Sequence, residues 1–167
     1  VLDKPGLRPT PDRVRETLFN WLGQDLSGWR CLDLFAGTGA LGFEAASRGA
    51  VSVLLVEQDP VLVEQLQRTQ AHLKADMVRV QRGDGVAALR HSATAAWDLV
   101  LIDPPFDSAL FAPALSASAA TLAVGAWVYL EAPKAWTDAD LLGYGLCVHR
   151  HLKAGAVHAH LLRAIVP

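Results

Sequence analysis

Asp33-Leu34-Phe35-Ala36-Gly37-Thr38-Gly39-Ala40-Leu41-Gly42 decides the fold of this 167-residue chain. The stretch closes an apolar run, turns through a Gly37-x-Gly39-x-x-Gly42 spacing and opens a helix-forming sequence. Glycines at such a turn admit positive φ and let the backbone approach a ligand closely. We therefore read a buried strand over Arg30 to Phe35 and a helix over Ala40 to Arg48. A second string, Asp103-Pro104-Pro105-Phe106, likewise ends an apolar run and gives a stiff, aromatic-tipped loop.

Working outward, the alternation of strand and helix recurs along the chain. Strands are expected over Val51 to Val56, Met77 to Gln81, Asp98 to Ile102 and Ala126 to Leu130. Helices are expected from Asp59-Pro60 to about Leu73, over Val86 to Arg90 and over Ser108 to Leu122. Ahead of them Thr10 can cap a helix with Pro11 at its first position, and Val14, Leu18 and Leu22 follow at helical spacing. Leu146 to Lys153 and Ala156 to Ile165 read as a hairpin around Ala154-Gly155. The expected architecture is α/β, a seven-stranded, mostly parallel sheet with a C-terminal antiparallel hairpin. That is the Rossmann-like arrangement of class I S-adenosylmethionine-dependent methyltransferases. Residues 1–167 are expected to form a single domain, with residues 1–26 a basic segment and helix packed on it.

Open parallel sheets bind ligands at the carboxyl ends of their strands. The glycine turn alone fits NAD as well as S-adenosylmethionine. Asp33, Glu57, Asp84 and Asp103 end or closely follow the first four strands, so all four crowd one rim. A pyrophosphate would meet like charge there, whereas a sulfonium cofactor with an ammonium group is attracted. In this reading Asp33, Phe35, Gly37 and Gly39 surround the amino-acid end of S-adenosylmethionine. Glu57 accepts from the ribose hydroxyls. Asp84 either meets the adenine edge or caps the following helix.

An amino group on an aromatic ring is a poor nucleophile because its lone pair is delocalised. Acceptors aimed at its two N–H groups favour the pyramidal form that attacks a methyl. Asp103 and the Pro104 carbonyl can be those acceptors, Pro105 stiffens the loop, and Phe106 can stack on the base. This loop serves guanine and adenine alike.

From Leu7 nearly to its end the chain resembles the RsmD family, bacterial methyltransferases that modify a guanine N2 in 16S ribosomal RNA. The most specific segment is Arg8-Pro-Thr-Pro-Asp-Arg-Val-Arg-Glu-Thr-Leu-Phe-Asn-Trp-Leu22, alongside the Asp33–Gly42 and Asp103–Phe106 strings. The resemblance implies transfer to guanine N2 within the assembled 30S subunit. Pro11 stands where the family has a small polar residue, and the family's basic, glycine-rich opening strand is not in the sequence. Arg8, Arg13 and Arg15 make a local cationic cluster suited to RNA phosphate. An adenine-N6 methyltransferase and an NAD-dependent oxidoreductase are the alternative readings.

The bulk composition sets wider bounds. Hydrophobic residues make up 51% and charged ones 19%, a globular balance, and a net charge of −2 leaves RNA binding to local patches. Cys31 and Cys147 lie far apart without metal-ligand spacing, and no signal peptide or membrane-length run is present. A reduced, cytoplasmic monomer is the expectation. If Ala154-Gly155 is a two-residue turn, His151 faces His158 and His149 faces His160. Four imidazoles would then share one hairpin face; no metal site is expected from them.

Overall fold

The computed structural model describes residues 10–165. Arg8 lies outside the described residues. The chain runs α1 (Asp12–Trp21), β1 (Arg30–Asp33), α2 (Ala40–Ser47), β2 (Ser52–Glu57), α3 (Pro60–Leu73), β3 (Val78–Arg82), α4 (Gly85–Arg90), β4 (Trp97–Ile102), α5 (Phe111–Ser118), β5 (Leu122–Ala132), α6 (Asp138–Leu141), β6 (Leu146–Ala154) and β7 (Val157–Ala164). The seven strands lie in the order β3-β2-β1-β4-β5-β7-β6. Neighbours from β3 to β5 pair in parallel, and β7 runs antiparallel to both β5 and β6. This is the expected α/β sheet, with its hairpin at one edge.

Alternation along the central strands drives the layering, because both faces of each strand are apolar. Cys31, Val53, Leu55, Leu99 and Leu101 point to one side and are covered by Val14, Leu18 and Phe19 of α1 and by α2. Leu32, Leu54, Val56, Val100 and Ile102 point to the other and meet Leu89 of α4 and Leu115 of α5. Leu18 and Phe19 are fully buried, each contributing about 1.5–3 kcal/mol of apolar burial. Helix α3 begins where Asp59 accepts from the Val61 and Leu62 N–H groups at 2.8 and 3.4 Å, with Pro60 behind it. No helix of the described residues is long and apolar enough to cross a membrane.

Several expected boundaries move. Thr10 does not cap α1: Pro11 occupies the cap position with no side-chain cap bond, because the Thr10 hydroxyl is directed elsewhere. β1 ends at Asp33, so Leu34 and Phe35 belong to the turn. The helix expected from Ser108 starts only at Phe111, since the Ser108 hydroxyl and N–H both bind the Pro105 carbonyl at 2.6 and 3.1 Å. It ends in a 3-10 turn over Ala119–Thr121, where the Thr121 hydroxyl donates to the Ser118 carbonyl. β5 starts at Leu122, earlier than expected, and a register irregularity opposite Trp97–Leu99 accompanies Gly125 at φ 79°. Helix α6 was not expected; a Thr137–Asp140 capping box sets it.

The hairpin register differs too. Ala154 pairs with Val157, so the turn is Gly155-Ala156, and His151 faces His160 while Lys153 faces His158. A bulge between Val148 and Arg150 isolates His149, whose ring lies 5.0 Å from that of Trp127. The expected face of four imidazoles is therefore three, with His151 Nε2 and His158 Nδ1 2.8 Å apart. Among the described residues no group of three or more His, Cys, Asp or Glu could hold a metal ion.

His160 itself is fully buried. Its Nδ1–H donates to the Leu130 carbonyl at 3.0 Å, and its Nε2 accepts the Trp136 N–H at 2.9 Å. Only a neutral ring can do both. Burial pushes its pKa down to about 4, from an ordinary 6.5. The unfolded chain thus takes up this proton first as the pH falls. Stability present above about pH 6.5 is lost between there and about pH 4. The stability gap between wild type and His160→Gln, from urea unfolding, should shrink by about 2–3 kcal/mol from pH 7.5 to 4.5. A gap that stays constant with pH would contradict the neutral ring.

Candidate active site

The carboxyl ends of β1 to β4 open onto one cavity of about 340 Å³. Asp33, Glu57, Asp84 and Asp103, the four acids anticipated at this rim, all line it. Phe35, Gly37, Pro104 and Pro105 line it as well, and so does Thr10. The strand pattern explains the convergence: Asp33, Glu57 and Asp103 sit where buried strands run out, and Asp84 follows the end of the mixed edge strand β3.

Asp33 is the most constrained of these groups. It is 2% exposed, and its Oδ1 has no hydrogen-bond partner. Burial pushes its pKa up to about 7; the Phe35 N–H opposes the rise and the Glu57 charge adds to it. A buried, half-satisfied carboxylate beside a cavity calls for a cationic donor.

Glu57 is pinned differently. Its Oε1 accepts the Gly37 N–H and its Oε2 the Asp59 N–H, each at 2.9 Å. These bonds tie the glycine turn to the end of β2 and fix the carboxylate at the cavity wall. Both oxygens retain lone pairs for a hydroxyl donor. Asp84 does cap α4: its Oδ1 accepts from Val86 and Ala87 at 2.9 and 3.3 Å, while the residue stays exposed at the cavity edge.

Two glycines are required by geometry. Gly39 sits at φ 81°, and a Cβ there would meet Phe43 at 2.6 Å and Leu66 at 2.7 Å. It is buried and does not line the cavity, so it shapes the turn from behind. A Cβ on Gly85 would lie 2.0 Å from the Leu34 carbonyl oxygen, so glycine lets α4 start against the β1 turn.

The Thr10 hydroxyl donates to Asp103 Oδ2 at 3.3 Å, joining residues 93 apart in the chain. Sequence reasoning missed this contact, taking Thr10 for a helix cap. It also missed the fully buried pair Tyr129 and Glu131, whose hydroxyl and Oε1 are 2.6 Å apart. Glu131 follows Leu130, which pairs with Ile102, so Glu131 and Asp103 leave adjacent strands side by side. A carboxylate interrupting the apolar run Trp127–Leu130 was the available signal.

A family model described as "Conserved hypothetical protein 95", the RsmD family, matches residues 1–163. The chain belongs to this family. "Ribosomal RNA small subunit methyltransferase D" of Escherichia coli K12 is 49% identical over 106 residues, covering 64% of this chain and 53% of the relative. The chain thus spans about half the length of that relative. The protein of the same name from Haemophilus influenzae is 40% identical over 139 residues, covering 80% of this chain and 72% of the relative. Among solved structures, "Putative methyltransferase yhhF from Escherichia coli" superposes with a TM-score of 0.80 at 37% identity, covering 98% of this chain and 90% of that one. The fold is that of the class I methyltransferases.

Within this RsmD-family chain, Phe106 and Arg15, like Gly39, are placed differently from expectation. Phe106 does not line the cavity; it is half-buried and packs against the cluster containing Leu32 and Ile102. A loop closed by Ser108 on the Pro105 carbonyl turns the ring inward. Arg15 is partly exposed and pairs with Asp12 at 3.3 Å and Glu44 at 3.6 Å. Arg13 is exposed on α1.

The Asp33 geometry gives a stability test. A carboxyl with a raised pKa weakens the fold as the pH climbs from its unfolded value near 4 through about 7. Asp33→Asn keeps an acceptor for Phe35 and removes the charge. Its melting temperature should exceed that of the wild type by several degrees at pH 8, with the gap closing towards pH 4. A variant less stable at pH 8 would show that the buried charge is compensated.

Proposed function

We propose that this chain transfers a methyl group from S-adenosylmethionine to the exocyclic N2 of a guanine in 16S ribosomal RNA, within the assembled 30S subunit. The observation that carries the reading is Asp33: a buried carboxylate with an unpaired oxygen, on a cavity ringed by three further acids. The names of the E. coli and H. influenzae relatives support the rRNA substrate. The same acid ring disfavours a nicotinamide dinucleotide, whose pyrophosphate it would repel. We read residues 1–167 as one methyltransferase unit, working as a monomer in the cytoplasm where ribosomal subunits are.

The residues fit S-adenosylmethionine. Asp33 Oδ1 would accept from its ammonium group, with Phe35 and the Gly37 backbone alongside. Glu57 would take the ribose hydroxyls, and Asp84 the adenine edge with the carboxylate lone pairs its cap leaves over. When bound, the cofactor supplies an electrophilic methyl on a sulfonium.

The protein's part is to hold the nucleophile. The Asp103 carboxylate and the Pro104 carbonyl accept the two N–H bonds of the target amine, favouring a pyramidal nitrogen with its lone pair forward. Two consecutive prolines fix φ twice, so those acceptors stay in place without reorganisation. The nitrogen gains one methyl and releases one proton to solvent, a step that needs no strong base because the alkylated nitrogen is acidic. The Thr10 hydroxyl holds Asp103 in this orientation. Arg8 and Arg13 are proposed to meet RNA phosphate, with Arg15 held back by its acidic partners. Phe106 is proposed to reach the base only if the loop opens its packing.

The test offers labelled cofactor to 30S subunits, naked 16S rRNA and duplex DNA, then identifies the modified base. N2-methylguanine formed on 30S subunits is expected. N6-methyladenine, or transfer to DNA alone, contradicts the proposal. Asp103→Ala should leave cofactor affinity within a few-fold and lower kcat by about 10²–10³. Equal loss of both would make Asp103 a cofactor or folding residue. Thr10→Val should lower kcat about tenfold with KM little changed, and Thr10→Ser should restore it. Failure of serine to rescue would reduce Thr10 to a packing role.

A further inference from the structure

After Asp140 the sequence contains no Asp or Glu, although the whole chain has 17 of them. The same stretch carries Arg150, Lys153, Arg163 and four histidines. It forms the β6–β7 hairpin, and β6 is the edge strand of the sheet. We propose that this hairpin is a second RNA-binding surface, gripping phosphates of the strand that flanks the target nucleotide. The proposal rests on the rRNA reading above.

Register places the surface. His158 pairs with Ala132, the last residue of β5, and Lys153 pairs with His158. The hairpin tip therefore stands at the same end of the sheet as Asp103. Three interstrand spacings separate them, about 15 Å, within reach of the nucleotides beside a base held at Asp103. Arg150 and Lys153 are both exposed. They sit on alternate faces of the edge strand, so a phosphate backbone running along that edge meets both. Lys134 lies 4.4 Å over the Trp136 ring, and the Trp136 N–H is bonded to His160 of the hairpin, which adds a third cation to this end.

Glu131 pairs with Ala159 at this end, but it is fully buried against the Tyr129 hydroxyl; the acids that follow β5, Asp138 and Asp140, lie towards the other end. Asp138 accepts the Val148 N–H at 2.7 Å, and Val148 is level with Leu162 and Val128. That is four residues down the strand from Ala132, or about 13 Å from the tip. Asp140 is engaged in its capping box with Thr137. Charges on an edge strand also prevent sheet-to-sheet pairing, but either sign serves that purpose. An exclusively cationic hairpin at the substrate end of the sheet fits a polyanion.

The probe is the 30S subunit, with the full chain carrying Arg150→Gln and Lys153→Gln together. Its dissociation constant at 0.1 M salt should rise about tenfold, and the salt slope of log K should shrink by about 1.5. Cofactor affinity and melting temperature should be unchanged. A matched variant, Arg79→Gln on the opposite edge strand β3 with Arg90→Gln at the end of α4, removes the same charge elsewhere and should bind as wild type does. Wild-type affinity in the hairpin variant overturns the proposal. So does an equal loss in both variants, which would reduce the effect to net charge. If wild type itself fails to methylate 30S subunits, the rRNA reading falls and the hairpin proposal with it.

Discussion

The carboxylate of Asp33, buried at the end of β1 with one oxygen unpaired, is the constraint around which the rest of the molecule is arranged. Taking a charge out of water without a full set of partners is costly. The sheet imposes this cost by ending the buried strand β1 in an acid and then turning sharply through Gly37 and Gly39. Glu57 makes the turn rigid by accepting the Gly37 N–H from the neighbouring strand. The same bond brings a second carboxylate near the first, and its charge helps hold the Asp33 proton on. Such a site is poor for stability and suited to a cation. That trade is typical of residues whose pKa is displaced by burial beside a cavity.

The second half of the site depends on a different kind of contact. Asp103 ends β4 one strand away, and its orientation is tied to Thr10, which the chain must bring back across 93 residues. The segment ahead of α1 thereby reaches the loop that would hold the target amine. Helix α1 packs over β6 and β7 with its apolar face on Leu161 and Ala159. The acid ring, the proline loop and the cationic hairpin, the features proposed to meet cofactor and RNA, therefore gather on one end of one sheet.

Much of this was legible in the residues. Apolar runs ending in acids gave the parallel strands, and the spacing of those acids gave the rim. What escaped shares a cause: tertiary contacts outranked local signals. Thr10 next to Pro11 reads as a cap until Asp103 offers its hydroxyl another partner. Phe106 reads as an exposed aromatic until the Ser108 turn folds it onto Ile102. Alternation alone puts four histidines on one face, but the turn falls at Gly155-Ala156, one residue later than expected, which changes the facing pairs, and a bulge between Val148 and Arg150 takes His149 out of the set. Glu131 was hidden by apolar neighbours, although a buried carboxylate with a tyrosine partner is visible only once Tyr129 and Glu131 are seen on the same face.

The most direct test of the central claim is calorimetric. S-adenosylmethionine binding at pH 6 should be followed in buffers of differing ionisation enthalpy. With an Asp33 pKa of about 7 in the free protein, an ammonium donor arriving at Oδ1 drives the proton off. Close to one proton should be released per cofactor bound, and Asp33→Asn should abolish that release. A binding heat independent of buffer in the wild type would contradict the account.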